Sequence, residues 1–186
     1  FKRDFYITDK DLFYLARAFK ELKSLQRLTL EAGDWSQVTD RGFYYLTKGM
    51  ARLRWLKSLS LEFSYSKITN VGLNYLSQSL KKLPLLEVIW LQGDYLEKAT
   101  GKGLKILNSS FNRLLHLQDI TLLTFDCLQM TDQSLEKVNF KRLVSLRCIY
   151  ISFAECGQLT DQGIYFLTQG LKKLPNLQEI GLELWK

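Results

Sequence analysis

Residues Leu159 to Leu184 read LTDQGIYFLTQGLKKLPNLQEIGLEL. Thr160 and Asp161 carry side chains that accept hydrogen bonds from the free amides of a helix's first turn. Ile164, Leu167 and Leu171 follow at helical spacing. Lys172 and Lys173 suit the negative end of a helix dipole. Pro175 stands where a helix cannot continue. Leu177, Ile180 and Leu182 then close the stretch, the last two alternating as in a short strand with one buried face. The stretch predicts one helix followed by one strand.

The same pattern recurs upstream. ITDKDLFYLARAFKELKSLQRLTL starts at Ile7, VTDRGFYYLTKGMARLRWLKSLSL at Val38, and ITNVGLNYLSQSLKKLPLLEVIWL at Ile68. ATGKGLKILNSSFNRLLHLQDITL starts at Ala99, and the shorter MTDQSLEKVNFKRLVSLRCIYI at Met130. With the copy at Leu159, the starts lie 31, 30, 31, 31 and 29 residues apart. A fixed period of this length marks an array in which each unit buries its apolar face against the next. Every copy ends on LxxLxL, for example Leu56, Leu59, Leu61 and Leu146, Ile149, Ile151.

These motifs resemble the leucine-rich repeat family, and within it the ribonuclease-inhibitor-like class, whose units carry an LTDxGL helix start. The resemblance covers Ile7 to Leu184. It implies an α/β solenoid, curved, with parallel strands on the concave face and α-helices on the convex face. Residues 1–186 are read as a single array. Two features depart from the family. The Asn or Cys after LxL is irregular, and the turn there is about two residues longer, as in EAGDWSQ and QGDYLEK. Four residues before each repeat's Thr stand Trp35, Tyr65, Leu96, Cys127 and Cys156, a column read as packing.

Composition narrows the function classes. The chain has 186 residues, 46% of them apolar, and no apolar run reaches the ~20 residues that span a bilayer. No membrane role is expected. The three cysteines, Cys127, Cys148 and Cys156, form no CxxC pair, which argues against a disulfide framework or zinc site and fits a reducing, cytoplasmic setting. The sequon Asn108-Ser109-Ser110 falls inside a predicted helix. TGKG at Thr100–Gly103 imitates a phosphate loop but aligns with the helix starts TDQG and TNVG. His116 is the only histidine and has no nucleophile or metal-ligand partner at a readable spacing. No enzyme activity, metal or cofactor is expected.

In each LxxLxL strand the intervening residues point away from the core. They form a grid: Arg27, Thr29, Glu31; Ser58, Ser60, Glu62; Val88, Trp90, Gln92; Asp119, Thr121, Leu123; Cys148, Tyr150, Ser152; Glu179, Gly181, Glu183. Its net charge is −4, so the rest of this +7 chain carries +11, much of it near helix C-termini. Trp90, Tyr150, Val88 and Leu123 make an apolar and aromatic centre, and aromatic anchors dominate many interfaces. Either a partner covers Trp90 or the flanking DYLEK turn does, and the first reading is preferred. Gln92, Asp119 and Glu179 complete the candidate face, while Glu31, Glu62 and Glu183 would select basic groups on a partner's rim.

The expected function is a non-catalytic scaffold that binds a protein partner on its concave face. The alternative is a structural subunit of a large intracellular assembly, contacting RNA or acidic proteins through a basic convex side, with nucleic acid ranked behind protein. The chain closes on LELWK without a polar capping helix, so further sequence or a neighbouring subunit is expected to cover its ends.

Overall fold

The computed structural model describes residues 6–32, 34–124, 130–136, 138 and 140–184. Cys127 lies outside them. The elements alternate along the chain: β1 (Tyr6–Thr8), α1 (Asp9–Ala18), β2 (Arg27–Leu30), β3 (Asp34–Gln37), α2 (Asp40–Met50), β4 (Ser58–Glu62) and α3 (Asn70–Leu80). Then come β5 (Val88–Gln92), α4 (Gly101–Phe111), β6 (Asp119–Leu123), α5 (Asp132–Glu136), β7 (Cys148–Ser152), α6 (Asp161–Leu171) and β8 (Glu179–Glu183). Six strands form one parallel sheet in the order β2-β4-β5-β6-β7-β8, and the remaining two, β1 and β3, pair in the first turn.

The sheet has no register slip between β2 and β8: Leu28 pairs with Leu59, Leu59 with Ile89, Ile89 with Ile120, Ile120 with Ile149, and Ile149 with Ile180. The sequence period thus becomes a spatial stack, each residue meeting its counterpart one repeat on. Consecutive helices pack side by side behind the sheet. Strands sit about 4.8 Å apart and packed helices about 8–10 Å apart, so the sheet must be the concave side. Leu59, Ile89, Ile120 and Ile149 are fully buried. Ile180, their counterpart on the outer strand β8, is 55% exposed, against the sequence expectation of a buried position.

The TD motif works across repeats, not only within one. Thr39, Thr69, Thr100 and Thr160 each cap their own helix, accepting from the amide two residues on. The acid after Thr was expected to do the same. Instead it reaches the next repeat: Asp9 accepts from the backbone N–H (2.8 Å) and hydroxyl (2.7 Å) of Thr39. Asp40 does so for Thr69, and Asp132 for Thr160. Asn70 accepts from the Thr100 N–H at 3.0 Å and donates to its hydroxyl at 2.9 Å. This ladder explains the glycine of TDxG. A Cβ at Gly42 would stand 2.2 Å from Asp9 Oδ1, and one at Gly72 2.6 Å from Asp40 Oδ1.

Asp40 accepts three hydrogen bonds, from the N–H and hydroxyl of Thr69 and the N–H of Gly72, each 2.8 Å. Asp40→Ala is expected to destabilise the fold by about 1–3 kcal/mol, and Asp40→Asn by less, since Asn70 performs the same task. Urea midpoints compare the three proteins; an unchanged midpoint for the alanine variant would mean the ladder carries no stability.

The turn column also needs a correction. Counting from the strands aligns Tyr65, Tyr95 and Glu155, all with positive φ (60°, 55° and 57°), and behind them Ser66, Leu96 and Cys156, all buried. Trp35 and Leu96 pack as expected, but Tyr65 is 57% exposed and Ser66 holds the inward position. The turn before Ile68 has one residue fewer than the others, which hides this register when positions are counted from Thr.

Candidate partner-binding face

The sheet register sorts the outward residues into three rows. The first holds Arg27, Ser58, Val88, Asp119, Cys148 and Glu179. The second runs from Thr29 through Ser60, Trp90, Thr121 and Tyr150 to Gly181. The third has Glu62, Gln92, Leu123, Ser152 and Glu183 in register, with Glu31 next to it through the bond that the Ser60 hydroxyl donates to its carboxylate at 3.2 Å.

Trp90 is half-buried and lies in the middle row, flanked by Ser60 and Thr121 on the neighbouring strands. Glu62 and Asp119 stand diagonally on either side of it. Each is one strand and one row away, which is about 8 Å between Cα atoms. Val88 is exposed in the first row, and Gln92 and Leu123 are half-buried in the third.

Both diagonal carboxyls are shifted upward. Burial is the main cause for Glu62, with Glu31 and Asp94 adding repulsion. For Asp119 burial again leads, with Glu179 adding to it. The acids therefore form two like-charged clusters. Asp94, absent from the sequence-derived face, belongs to the first: it is buried, and its carboxylate accepts from the Ser64 hydroxyl at 3.4 Å and from the Gln92 amide. The signal that could have found it is its position two residues beyond β5, aligned with Ser64 once turns are counted from the strand. In the second cluster Cys148 sits between Asp119 and Glu179. Burial and those two carboxylates raise its thiol pKa, and the thiol donates to Glu179. This keeps the sulfur protonated and weakly nucleophilic.

Tyr150 does not stand free beside Trp90. Two strand spacings, about 10 Å, separate them. The Tyr150 ring lies over Gly181, where an added Cβ would come within 2.2 Å of the ring. Its hydroxyl donates to Glu183, which raises the phenol pKa. The two aromatics named as one centre are thus separate: one between two acid clusters, the other folded onto an acid of its own. Ser152, assigned to the outward grid, is fully buried.

The DYLEK turn buries Asp94 and Leu96 and leaves Tyr95, Glu97 and Lys98 exposed. Leu96 is in the core, and Tyr95 stacks on Tyr65 with ring centroids 4.6 Å apart and planes 11° apart. This exposed ring pair adjoins the Glu62–Asp94 cluster through Ser64 and the bond from the Tyr65 N–H to the Asp94 carbonyl at 2.9 Å.

Carboxylates placed with no register-matched cation beside them disfavour one another, so this face costs stability. A raised carboxyl pKa means the fold favours the protonated form, and that stability is present below the ordinary value near 4.5 and lost as pH rises through the folded value. Glu62→Gln is therefore expected to raise the melting temperature at pH 7 and leave it nearly unchanged at pH 3.5. A lower melting temperature at pH 7 would show that Glu62 holds the fold together.

Among the described residues no three His, Cys, Asp or Glu side chains converge as a metal site, and no helix is long and apolar enough to cross a membrane. His116 is exposed in the loop before β6. Asn108 of the sequon is buried in α4.

No protein-family model matches the chain. No curated protein matches it either. Among solved structures it is similar to the tropomodulin C-terminal domain of Caenorhabditis elegans, with a TM-score of 0.53 and 11% identity, over 96% of this chain and 84% of that one. It is likewise similar to the leiomodin-1 actin-binding site 2, with a TM-score of 0.53 and 12% identity, over 94% of this chain and 79% of that one. At these identities the likeness is one of fold.

Proposed function

We propose that this chain is a non-catalytic scaffold that binds a protein partner on its concave sheet face, and that the partner presents a cationic side chain to Trp90. The observation that carries this reading is the diagonal Glu62–Trp90–Asp119, an aromatic ring between two carboxyls held above their ordinary pKa. A guanidinium or ammonium group over the ring gains a cation–π contact. It also relieves the repulsion within both acid clusters, so binding would lower those pKa values and release protons. Glu31, Glu179 and Glu183 extend the acidic rim. Val88, Leu123 and Gln92 supply the contact area around the anchor, and Tyr150 acts with Glu183 as a separate polar contact. The actin-binding description of the leiomodin domain is in keeping with a protein partner on this fold. The free thiol of Cys148 is in keeping with an intracellular, reducing setting. We assign the repeats to the ribonuclease-inhibitor-like class on their TDxG helix starts, and read residues 1–186 as one array.

The test is affinity for a set of short Arg-containing peptides, selected against the wild-type protein by display and measured by calorimetry at two pH values. Trp90→Ala should weaken the selected peptide by about 30-fold or more, and Glu62→Gln with Asp119→Asn should abolish the proton release on binding. Peptides that bind the Trp90→Ala protein equally well would remove this face from consideration.

A further inference from the structure

The loops joining each helix to the next strand share one edge of the solenoid. A backbone hydrogen-bond chain holds them in register: Lys57 N–H to Gln26 (2.8 Å), Glu87 to Lys57 (2.8 Å), Gln118 to Glu87 (2.7 Å), Arg147 to Gln118 (2.8 Å) and Gln178 to Arg147 (2.7 Å). Residues 19–26, 51–57, 81–87, 112–118, 140–147 and 172–178 carry 13 Lys and Arg against 2 Glu. That is +11 in a chain of net +7, so everything else together is −4.

The cations are ordered within this edge. Leu53, Leu83, Leu114, Leu143 and Leu174 are buried, and each donates its N–H to the carbonyl three residues earlier, at 2.8 to 3.0 Å. They therefore occupy one structural position in five consecutive repeats. The residue before each is Arg52, Lys82, Arg113, Arg142 and Lys173, a cation every time and exposed every time. Among the described residues none of the five has a carboxylate within ion-pair distance, the single ion pair being Lys57–Glu87 at 2.9 Å. A helix dipole accounts for a cation in or beside a last turn, because its effect fades within that turn. It does not account for Arg142, six residues beyond the end of α5, which still keeps the position. The edge also presents Trp55, 58% exposed, between Arg54 and Lys57.

We propose that this edge is a binding track for single-stranded nucleic acid, independent of the concave face. The spacing of the cations lies between the ~4.8 Å of the strands and the ~8–10 Å of the helices. An evenly stepped row of cations suits a partner with evenly stepped anions, and the phosphodiester backbone is such a partner. The exposed indole offers a face on which a base stacks, the combination by which single strands are held without sequence preference. Phosphates and base faces are common to RNA and DNA.

The experiment is fluorescence anisotropy with labelled oligo(U) and oligo(dT) of about 20 nucleotides across a salt series. Five phosphate contacts give a log–log salt slope of about −3.5. Arg52→Glu/Arg113→Glu/Arg142→Glu should cost at least about 100-fold in affinity at low salt and flatten the slope to about −1.4. Lys10→Glu/Arg41→Glu/Lys102→Glu changes net charge equally on the exposed helix faces and should cost less than about tenfold. Trp55→Ala should cost about tenfold for the oligonucleotides and nothing for inorganic polyphosphate. Circular dichroism confirms that each variant is folded. The proposal is overturned if the wild type binds neither oligonucleotide, if both charge triples weaken binding equally, or if polyglutamate of matched charge displaces the strand as effectively as unlabelled oligo(dT).

Discussion

Gly101→Asp, which restores the repeat's own consensus, is expected to destabilise the fold by about 3 kcal/mol or more. The acid after Thr normally reaches across to the next repeat's Thr, and the fourth repeat has glycine there instead. The space is taken: a Cβ at Gly101 would lie 1.8 Å from Ser134 Oγ and 2.3 Å from Ser134 Cβ. Ser134 occupies the place of the TDxG glycine in the fifth repeat, and its hydroxyl accepts from the Thr131 N–H at 3.0 Å. One residue thus does from within its own repeat what Asp does from the repeat before. An aspartate at 101 would be driven into that serine and would bury a charge whose hydrogen-bond donor is already engaged. The double variant Gly101→Asp/Ser134→Gly recreates the arrangement of Asp40 and Gly72, and should recover most of the loss. Chemical denaturation of the wild type, both single variants and the double variant gives the coupling energy directly. Additive losses would mean that the two positions do not exchange one task.

Trp35→Ala is expected to cost about 3–5 kcal/mol. Trp35 is the largest side chain in the core at 1% exposure, and it fills the inward turn column that Ser66, Leu96 and Cys156 continue. The indole of a buried tryptophan normally has a hydrogen-bond partner. Trp35 Nε1 has none among the described residues. Its contribution is therefore volume, so Trp35→Phe should lose only about 1 kcal/mol, the cost of a small cavity. Thermal unfolding of the two variants separates these cases. A phenylalanine variant as unstable as the alanine one would point to a polar role for the indole.

What was legible in the sequence follows from the strict period. Leu59, Ile89, Ile120 and Ile149 recur at nearly one spacing, and a parallel sheet places such residues in a single buried column. Periodicity therefore predicted the α/β repeat fold with its parallel strands. The edge ladder was also present in the letters, since the cation before Leu53, Leu83, Leu114, Leu143 and Leu174 can be read once the repeats are aligned.

The rest depended on contacts that cross repeats or cut against the period. Asp and Thr of one motif look like a single helix cap, and only the packing of adjacent repeats shows that the aspartate serves the next Thr, and why a glycine must stand beside it. One residue fewer in the turn before Ile68 put Tyr65 in place of Ser66 in the buried column and hid the alignment of Asp94 with Ser64. Trp90 and Tyr150 read as one aromatic centre because alternation gives the face on which a side chain starts, not where it leans. Tyr150 leans over Gly181 to Glu183, a choice set by the missing side chain on the neighbouring strand. Sequence period determined which residues share a face; tertiary structure decided which of them touch, because side-chain direction and inter-repeat hydrogen bonds depend on neighbours about 30 residues away.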